Sequence, residues 1–227
     1  MFKSRYSNVL TIILIVIIVL ILLIGIALFI NWYRQERIER ANEEVIAQFT
    51  ENNNQIEQTE GNTTSNVIIP ELTNINTNAS SSTTGTNGTS KKKTYLEGFV
   101  VSGYIEIPKT GIKYAILETS SVKALETAVA VAYPSNPKLN TKGNVVIQGH
   151  NYRNGKFFSN NKKLEIGDKI RITDNTNTTL TYTIYEIFLA TPEDASYFTR
   201  DTGDNIEISL STCTDDGNER LVILAKV

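Results

Sequence analysis

The sequence predicts a mainly β domain, folded as a closed barrel of short strands and carried on a membrane-spanning helix. Residues 9–30 are an uncharged aliphatic run broken only by Thr11 and Gly25, and seven short alternating or apolar runs follow residue 95. Helical patterns in this second part are few and short. Short strands separated by turn residues indicate a barrel or a sandwich, and we expect the barrel because closure leaves no sheet edge unpaired.

Residues 9–30 are predicted to span a lipid bilayer. They carry no charge, and at about 1.5 Å per residue they reach roughly 33 Å, the thickness of the hydrocarbon core. The run is too long for the core of a cleaved signal peptide, so we expect an uncleaved anchor after a short N-terminal segment, residues 1–8. Basic residues lie on both sides, Lys3 and Arg5 before the run and Arg34 after it, and their count leaves the orientation open.

Two further segments are predicted between this anchor and the barrel. Residues 31–49 are expected to form an amphipathic juxtamembrane helix, because Ile38, Val45 and Phe49 fall near one face. Residues 50–94 are rich in Asn, Thr, Ser and Gly and cannot bury enough apolar surface to fold alone, which predicts a flexible tether. A chain of this length has a root-mean-square reach of roughly 35–40 Å.

The folded domain is then residues 95–227. Runs with strand periodicity or continuous apolar character, bounded by turn residues, predict its strands. They are Gly103–Pro108, Lys113–Leu117, Val145–Gln148, Lys169–Thr173, Thr179–Leu189, Ile206–Thr212 and Leu221–Val227. Short helices are predicted at Ser120–Ala128, which opens with a serine cap, and at Lys156–Leu164.

Composition excludes several classes of function. A formal net charge of −2, with no clustered basic surface in the C-terminal half, argues against nucleic-acid binding. A single cysteine excludes an internal disulfide framework and any multi-cysteine metal site. One cysteine and one histidine would need two further carboxylates to hold zinc, and none stands at a recognisable spacing.

The single cysteine, Cys213, lies at the end of a strand with strict alternation. Ile206, Ile208 and Leu210 fall on one face, whereas Cys213 falls on the other face with Glu207, Ser209 and Ser211. A cysteine used only for packing would be expected among the apolar side chains. Its position on the small, polar face therefore favours a chemical role, although packing remains open at this point.

Arg220 and His150 are the two candidate partners of this thiol. The turn at residues 214–219 brings Arg220 nearly opposite Cys213, where a guanidinium can stabilise negative charge on sulfur or on a carbonyl oxygen. His150, the only histidine, follows a buried-type strand that ends in Gly149. Both Cys213 and His150 thus stand at strand exits, and a cysteine nucleophile needs a group that transfers protons.

These motifs together resemble the sortases, the membrane-anchored cysteine transpeptidases of Gram-positive bacteria. The resemblance covers residues 103–227. It rests on five motifs: Gly103–Pro108, Gly149-His150-Asn151, the Leu164–Asp168 turn, Leu210-Ser211-Thr212-Cys213 and Arg220. The family signature before the cysteine usually reads Thr-Leu-x-Thr-Cys, and this chain has Ser209 in the first place.

The resemblance implies an eight-stranded barrel and a catalytic triad. Cys213 would attack the Thr–Gly bond of an LPxTG-like sorting signal on a secreted protein, and His150 would move the protons. Arg220 would bind the carbonyl oxygen as it becomes negative. A thioester would then pass its acyl group to an amine of a cell-wall precursor. The family also implies a cytoplasmic N-terminus, a single pass through the cell membrane and an extracellular barrel.

The resemblance extends less specifically to the substrate and to calcium. The segment 190–205 matches the family loop that lines the substrate groove. Substrate contacts are expected from Ala195, Tyr197 and Phe198 of this loop and from Asn151, Ser211 and Thr212 beside the triad. Four acidic residues of the loop resemble the calcium ligands of some class A sortases: Glu193, Asp194, Asp201 and Asp204. Because calcium needs six or more converging oxygens, we expect no cofactor and keep calcium as the alternative.

Two features bear on the subclass and on rival functions. The sequence has no aromatic-bearing lid before the barrel and ends at Val227 without a second membrane helix, so class B/D-like protein attachment is preferred over pilus assembly. A papain-like hydrolase is disfavoured because its histidine follows its cysteine, whereas His150 precedes Cys213. A membrane-anchored β-domain that binds a peptide or wall ligand, with an inert Cys213, remains the alternative.

Overall fold

A long N-terminal helix, α1 (Lys3–Glu60), leads into the β domain. The computed structural model describes the backbone of residues 3–60 and 93–227 and the side chains of residues 9–51 and 93–227. The predicted anchor and juxtamembrane helix belong to one continuous helix, which passes the predicted start of the tether at residue 50 and ends at Glu60. The rest of the predicted tether, residues 61–92, lies outside the described residues.

The first part of α1 is long and apolar enough to cross a membrane. The candidate span is Val9–Glu51, whose most apolar window has a mean hydropathy of 3.8. The large apolar side chains of residues 9–30 are all exposed in the isolated chain. Exposure on every side of a helix is what contact with lipid requires, because lipid replaces the protein core as the apolar surrounding. The part of α1 that follows, residues 35–49, instead packs on the β domain.

Residues 93–227 contain nine strands and one short α-helix. They are β1 (Tyr95–Leu96), β2 (Phe99–Ile107), β3 (Ile112–Leu117), α2 (Val122–Thr127), β4 (Val129–Tyr133), β5 (Gly143–Gln148), β6 (Lys169–Asp174), β7 (Thr179–Ala190), β8 (Ile206–Cys213) and β9 (Arg220–Lys226). All seven predicted strands are present. The Ser121 hydroxyl caps α2 by accepting a hydrogen bond from the Ala124 amide at 3.1 Å, as predicted.

Eight of the strands close into the predicted barrel. Their order is β2-β3-β4-β5-β8-β9-β7-β6, and β6 pairs back onto β2, while β1 adds a two-residue arm to β2. Most neighbours are antiparallel, but β3 and β4 are parallel, and so are β5 and β8. Since β5 and β8 are parallel neighbours, their carboxyl ends meet at the same end of the barrel.

Two local expectations are corrected by the structure. The helix predicted at Lys156–Leu164 is wrong: the only helical turn there is a 3₁₀ turn at Asn161–Lys163, because Phe157 and Phe158 are drawn into the core as part of a hairpin. Strand β4 was not predicted, because its Val-Ala-Val-Ala sequence directly follows the α2 pattern and carries no turn residue to separate them.

Apolar side chains fill the barrel and also cover two outer walls. The interior cluster includes Ile105, Ile147, Ile208 and Leu210. One outer cluster lies beneath α1, and the other joins β5 and β9 to the β7–β8 loop, residues 191–205. This loop explains why the predicted polar face of β8 is itself buried: it covers the outer side of the strand that carries the cysteine.

Candidate active site

Cys213 and Arg220 face each other across the first pair of the β8–β9 hairpin. They are the last residue of β8 and the first of β9, and they are direct partners in the antiparallel ladder. The Arg220 guanidinium donates a hydrogen bond from Nη1 to the Cys213 sulfur at 2.8 Å. Both residues are half-buried. The predicted approach of a cation to the thiol is therefore present in the folded chain.

The turn between them is held by its own atoms. The Thr214 amide donates to the Glu219 carbonyl at 3.0 Å, and the Gly217 amide donates to the Thr214 carbonyl at 3.0 Å. The Asp216 carboxylate accepts from the Thr214 hydroxyl at 2.5 Å, and hydrogen bonds to this carboxylate lower the pKa of Asp216. Gly217 has φ +80°, a conformation that favours glycine. Each of these contacts is local in sequence.

The neighbouring parallel strand, β5, leads the chain toward the same site just before His150. Gln148 of β5 is paired with Ser211 of β8, and the Gly149 amide donates to the Ser211 carbonyl at 3.2 Å. Continuing this register by two residues puts His150 beside Cys213. The side-chain alternation agrees, because Ser211 and Cys213 lie on the outer face of the barrel, and so does His150 when the alternation of β5 is extended.

Gly149 and burial shape the surroundings of this imidazole. A Cβ at Gly149 would lie 2.8 Å from Phe158 and 2.9 Å from Val129, so only glycine allows the chain to pass at this point. His150 is half-buried, and burial lowers its pKa below the ordinary value of 6.5, although the Glu126 carboxylate opposes this shift. A neutral imidazole is therefore favoured.

Asn151 joins the histidine and cysteine segments directly. Its side-chain amide donates to the Cys213 carbonyl oxygen at 3.0 Å and to the Asp215 carboxylate at 2.9 Å. Lys162 forms an ion pair with the same carboxylate at 2.5 Å, and these two partners lower the pKa of Asp215. The substrate contact of Asn151 stays a prediction, and its amide hydrogen bonds hold the His150 and Cys213 segments together.

Residues 150–158, here called the His150 hairpin, fold back on themselves. The Phe158 amide donates to the His150 carbonyl at 3.1 Å, and Asn151 and Phe157 form an isolated β-bridge. Tyr152 packs against the imidazole, with ring centroids 4.8 Å apart, and contacts Phe157 at 5.6 Å. Sequence reasoning missed Tyr152 and Phe157. The adjacent Phe157-Phe158 pair in a polar segment was the available signal.

The other predicted substrate residues lie on both faces of β8 and in the loop that covers it. Tyr197 is only 4% exposed, and its hydroxyl is hydrogen-bonded to that of Ser211 at 3.0 Å. Phe198 is half-buried against Tyr197, and Ala195 is exposed near the start of the loop. Thr212 points into the barrel, where its hydroxyl oxygen is buried without a hydrogen-bond partner in the described structure. Loop and strand thus form one layer beside the thiol.

A buried polar network that sequence reasoning missed fastens this loop. Arg200 forms an ion pair with Glu207 of β8 at 2.5 Å, and the Asn144 amide donates to the Tyr197 carbonyl at 2.8 Å. The Tyr185 hydroxyl also donates to Glu207 at 2.7 Å, and burial together with this carboxylate raises the pKa of Tyr185 to about 12. The position of the loop is therefore set by β5 and β8, the strands that carry the site.

The acidic residues of this loop make contacts of their own. Asp194 accepts a hydrogen bond from the Ser196 amide, Asp201 accepts one from Gly203, and Asp204 pairs with Lys142 at 2.7 Å. Within residues 9–51 and 93–227, no group of three or more His, Cys, Asp or Glu side chains is close enough to hold a metal ion. The described residues therefore offer no cluster of carboxylates for the calcium alternative.

Comparison with known proteins identifies the fold. A family model described as the Sortase domain matches residues 105–227, just over half of the chain. Sortase A of Bacillus anthracis is 32% identical over 126 residues, which cover 54% of this chain and 58% of that relative. The match thus spans less than two thirds of the curated relative.

Solved structures agree with the family model. A Sortase D5 transpeptidase of Clostridium perfringens is 32% identical, with a TM-score of 0.50 over 56% of this chain and 78% of that one. Sortase A of Corynebacterium diphtheriae is 28% identical, with a TM-score of 0.51 over 57% and 61% of the two chains. The barrel, its match to the family model and these relatives lead to one conclusion: the chain belongs to the sortase family.

Proposed function

We propose that this chain is a cysteine transpeptidase that cleaves an LPxTG-like sorting signal and transfers the resulting acyl group to an amine. The observation that carries the proposal is the contact between Arg220 and the Cys213 sulfur at 2.8 Å. This contact lies at the end of β8, and the register of the paired strand β5 leads to His150 at the same end of the barrel. A nucleophile, a cation and a proton carrier are the three groups that acyl transfer through a thioester needs. Membership of the sortase family supports the same assignment.

In the first half-reaction, the Cys213 sulfur attacks the carbonyl carbon of the Thr–Gly bond of the signal. Negative charge develops on the carbonyl oxygen, and Arg220, which already reaches the sulfur, can donate hydrogen bonds to it. His150, which begins as a neutral imidazole, takes the thiol proton of Cys213 as the sulfur attacks and gives it to the departing glycine amine as the carbon–nitrogen bond breaks. The products are a thioester on Cys213 and a free C-terminal fragment.

In the second half-reaction, an amine attacks the thioester. His150 takes a proton from this amine and returns it to the Cys213 sulfur as the carbon–sulfur bond breaks, and a new amide bond links the two molecules. Cys213, His150 and Arg220 supply all the groups for both steps, so we propose that no cofactor takes part. An amine of a cell-wall precursor is the proposed acceptor, with water as the slow alternative.

The outer surface beside Cys213 supports a binding place for the apolar part of the signal. Ala195 is exposed and Phe198 half-buried in the loop that covers β8, and both can present apolar surface to a peptide. Tyr197 and Ser211 are hydrogen-bonded to each other and act by holding that loop on the strand. Thr212 lies on the inner face, so we propose that it supports the strand end.

The helix α1 supports a location in the cell membrane. We propose a cytoplasmic N-terminus, a single pass through residues 9–30 and an extracellular barrel, which puts Cys213 on the side where secreted proteins and wall precursors are found. The domain order proposed from the sequence is retained, with residues 31–49 beyond the membrane and the catalytic domain at residues 95–227.

The test uses the full chain in lipid nanodiscs with a quenched LPxTG-type peptide and an amine acceptor such as triglycine. We expect turnover that a methanethiosulfonate reagent abolishes, and an acyl-enzyme that hydroxylamine releases. The Cys213→Ala variant should form neither product nor acyl-enzyme. A folded wild-type chain that binds the peptide but never cleaves it would instead identify a binding module with an inert thiol.

A further inference from the structure

The juxtamembrane part of α1 is docked on the barrel by a specific pair of hydrogen bonds. The Asn42 side chain donates from Nδ2 to the Lys113 carbonyl at 3.2 Å and accepts from the Ala115 amide at 2.8 Å. Strand β3 pairs with β4 only at Ile116 and Leu117. Among the described strands, the Lys113 carbonyl and the Ala115 amide therefore have no partner along this edge of β3. Asn42 is 5% exposed and takes the place of a neighbouring strand.

Apolar contacts extend the same docking surface. Val45, Ile46 and Phe49 are each 6% exposed, and the Phe49 ring lies edge-on to Tyr104 of β2 at 6.2 Å. Val45 and Phe49 belong to the outer cluster that includes Leu96 of β1. Burial of this kind holds the helix to the barrel, and the Asn42 hydrogen bonds fix its position along the strand.

One ion pair links this docked helix to the His150 hairpin. Lys156, in the hairpin, lies 2.6 Å from the Glu39 carboxylate and donates a hydrogen bond to the Gln35 side chain at 3.3 Å. The Lys156 side chain is 28% exposed. An isolated pair at such exposure is weak, but here the docked helix already holds the carboxylate in place, so less freedom is lost when the pair forms.

The contacts continue from Lys156 to the imidazole. The next residue, Phe157, is buried and stacks on Tyr114 of β3 at 4.9 Å. Phe157 also contacts Tyr152 at 5.6 Å, and Tyr152 contacts His150 at 4.8 Å. A displacement of Lys156 therefore changes the packing of the ring that lies against the proton carrier.

We propose that Glu39 of α1 is a positioning residue for acyl transfer, which acts through Lys156 to hold the His150 hairpin beside Cys213. The proposal rests on the proposed function and adds the membrane-proximal helix to the machinery of the site. It also fixes the distance between the site and the membrane surface. Gln35 and Glu39 follow the last apolar residue, Ile30, by only a few positions, which at about 1.5 Å per residue is roughly 8–14 Å along the axis. The barrel is thus held close to the bilayer by α1.

The test is charge reversal in the full chain in nanodiscs. Glu39→Lys and Lys156→Glu should each lower kcat about tenfold or more with KM little changed, because they displace a catalytic group without removing it. The double variant restores the pair with its charges exchanged, and its kcat should return to within about threefold of the wild type. The matched control is Arg37→Glu, which breaks a second ion pair of α1, Arg37–Glu97 with the β1–β2 turn, away from the hairpin. It should keep the wild-type kcat.

Hydrogen exchange separates this proposal from the proposed function. Amides of residues 151–158 should exchange faster in each single variant and regain protection in the double variant, whether or not the wild type turns over peptide. If the wild type shows no turnover but the variants show these changes in exchange, the proposed function is wrong and the positioning role of Glu39 for the hairpin stands. Single variants with unchanged exchange and kcat, a double variant that stays impaired, or an equal loss in Arg37→Glu would each overturn the role of Glu39.

Discussion

The two hairpins that meet at the candidate active site are built differently. The Cys213–Arg220 turn is closed by hydrogen bonds between residues at most seven positions apart. The His150 hairpin has local bonds as well, but its position depends on Cys213 and Asp215 through Asn151, on β3 through Phe157 and on α1 through Lys156. These partners are distant in sequence.

This difference separates the two groups proposed to hold charge, Cys213 and Arg220, from the group proposed to move protons, His150. The sulfur and the guanidinium stay together as long as β8 and β9 are paired. The segment that carries the imidazole is instead positioned by several contacts with residues distant in sequence. Substitutions in the first hairpin should therefore remove chemistry, whereas substitutions around the second should change geometry, with smaller and graded losses of rate.

The largest effect is expected from Arg220→Lys. An ammonium cannot reproduce the planar, multi-donor guanidinium that contacts the sulfur, so kcat should fall about 10²–10³-fold with thermal stability nearly unchanged. Steady-state kinetics and a thermal melt on the same preparation measure both. Arg171→Lys, on the surface of β6, is the matched control and should keep the wild-type rate. Near-normal kcat in Arg220→Lys would remove the guanidinium from the charge-stabilising role.

Asn151→Asp should give the next largest loss. The new carboxylate has the same shape but cannot donate, and it would face the Cys213 carbonyl and the Asp215 carboxylate. We expect kcat to fall about 10–100-fold, because the His150 hairpin loses its link to the cysteine turn.

The matched control for this change is Asn154→Asp. The Asn154 side chain accepts a hydrogen bond from the Lys156 amide, a role that aspartate keeps. Its rate should stay near that of the wild type. Equal losses in both variants would show that added negative charge, rather than the missing donor, causes the effect.

Sequence alone could predict the first hairpin better than the second. The alternation of β8 and the Asp-Gly turn predicted the approach of Arg220 to Cys213, because both signals are local. The docking of Asn42 on β3 joins residues more than 70 positions apart and could not be predicted from local pattern. For the same reason Phe157 and Phe158 were assigned to a helix: the adjacent aromatic pair signals burial, but no local pattern indicates that Tyr114 and the core receive it.

Two glycines, Gly149 just before the His150 hairpin and Gly217 in the cysteine turn, provide a smaller comparison. Gly149→Ala would put a Cβ 2.8 Å from Phe158, and we expect a loss of about 1–3 kcal/mol in the free energy of unfolding together with a lower kcat. Gly217→Ala meets no atom within 4 Å and should cost only its positive φ, about 1–2 kcal/mol. Chemical denaturation measures both. A larger loss at Gly217 than at Gly149 would contradict the crowding at the base of the His150 hairpin.

The smallest effect is the titration of His150. Because burial lowers its pKa below 6.5, the unfolded chain binds more protons than the folded chain as the pH falls through 6.5. Protonation of His150 therefore favours the unfolded chain. With respect to this group, the folded state has its full stability above pH 6.5 and loses stability as the pH falls toward the lower folded-state pKa. His150 is the only histidine, so its ring signal in NMR is unambiguous. A folded-state pKa at or above 6.5 would contradict the burial of the imidazole.

The most direct test of the convergence of the two hairpins is a disulfide between them. In the His150→Cys variant, the only other cysteine is Cys213, and oxidation should link them, because the register of β5 and β8 brings the two positions side by side. Arg220→Cys, whose position is the ladder partner of Cys213, is the positive control, and Lys142→Cys, next to the opposite end of β5, is the negative control. Mass spectrometry of the oxidised full chain should find the 150–213 bond. Two free thiols at 150 and 213, with the Arg220→Cys control fully linked, would contradict the account.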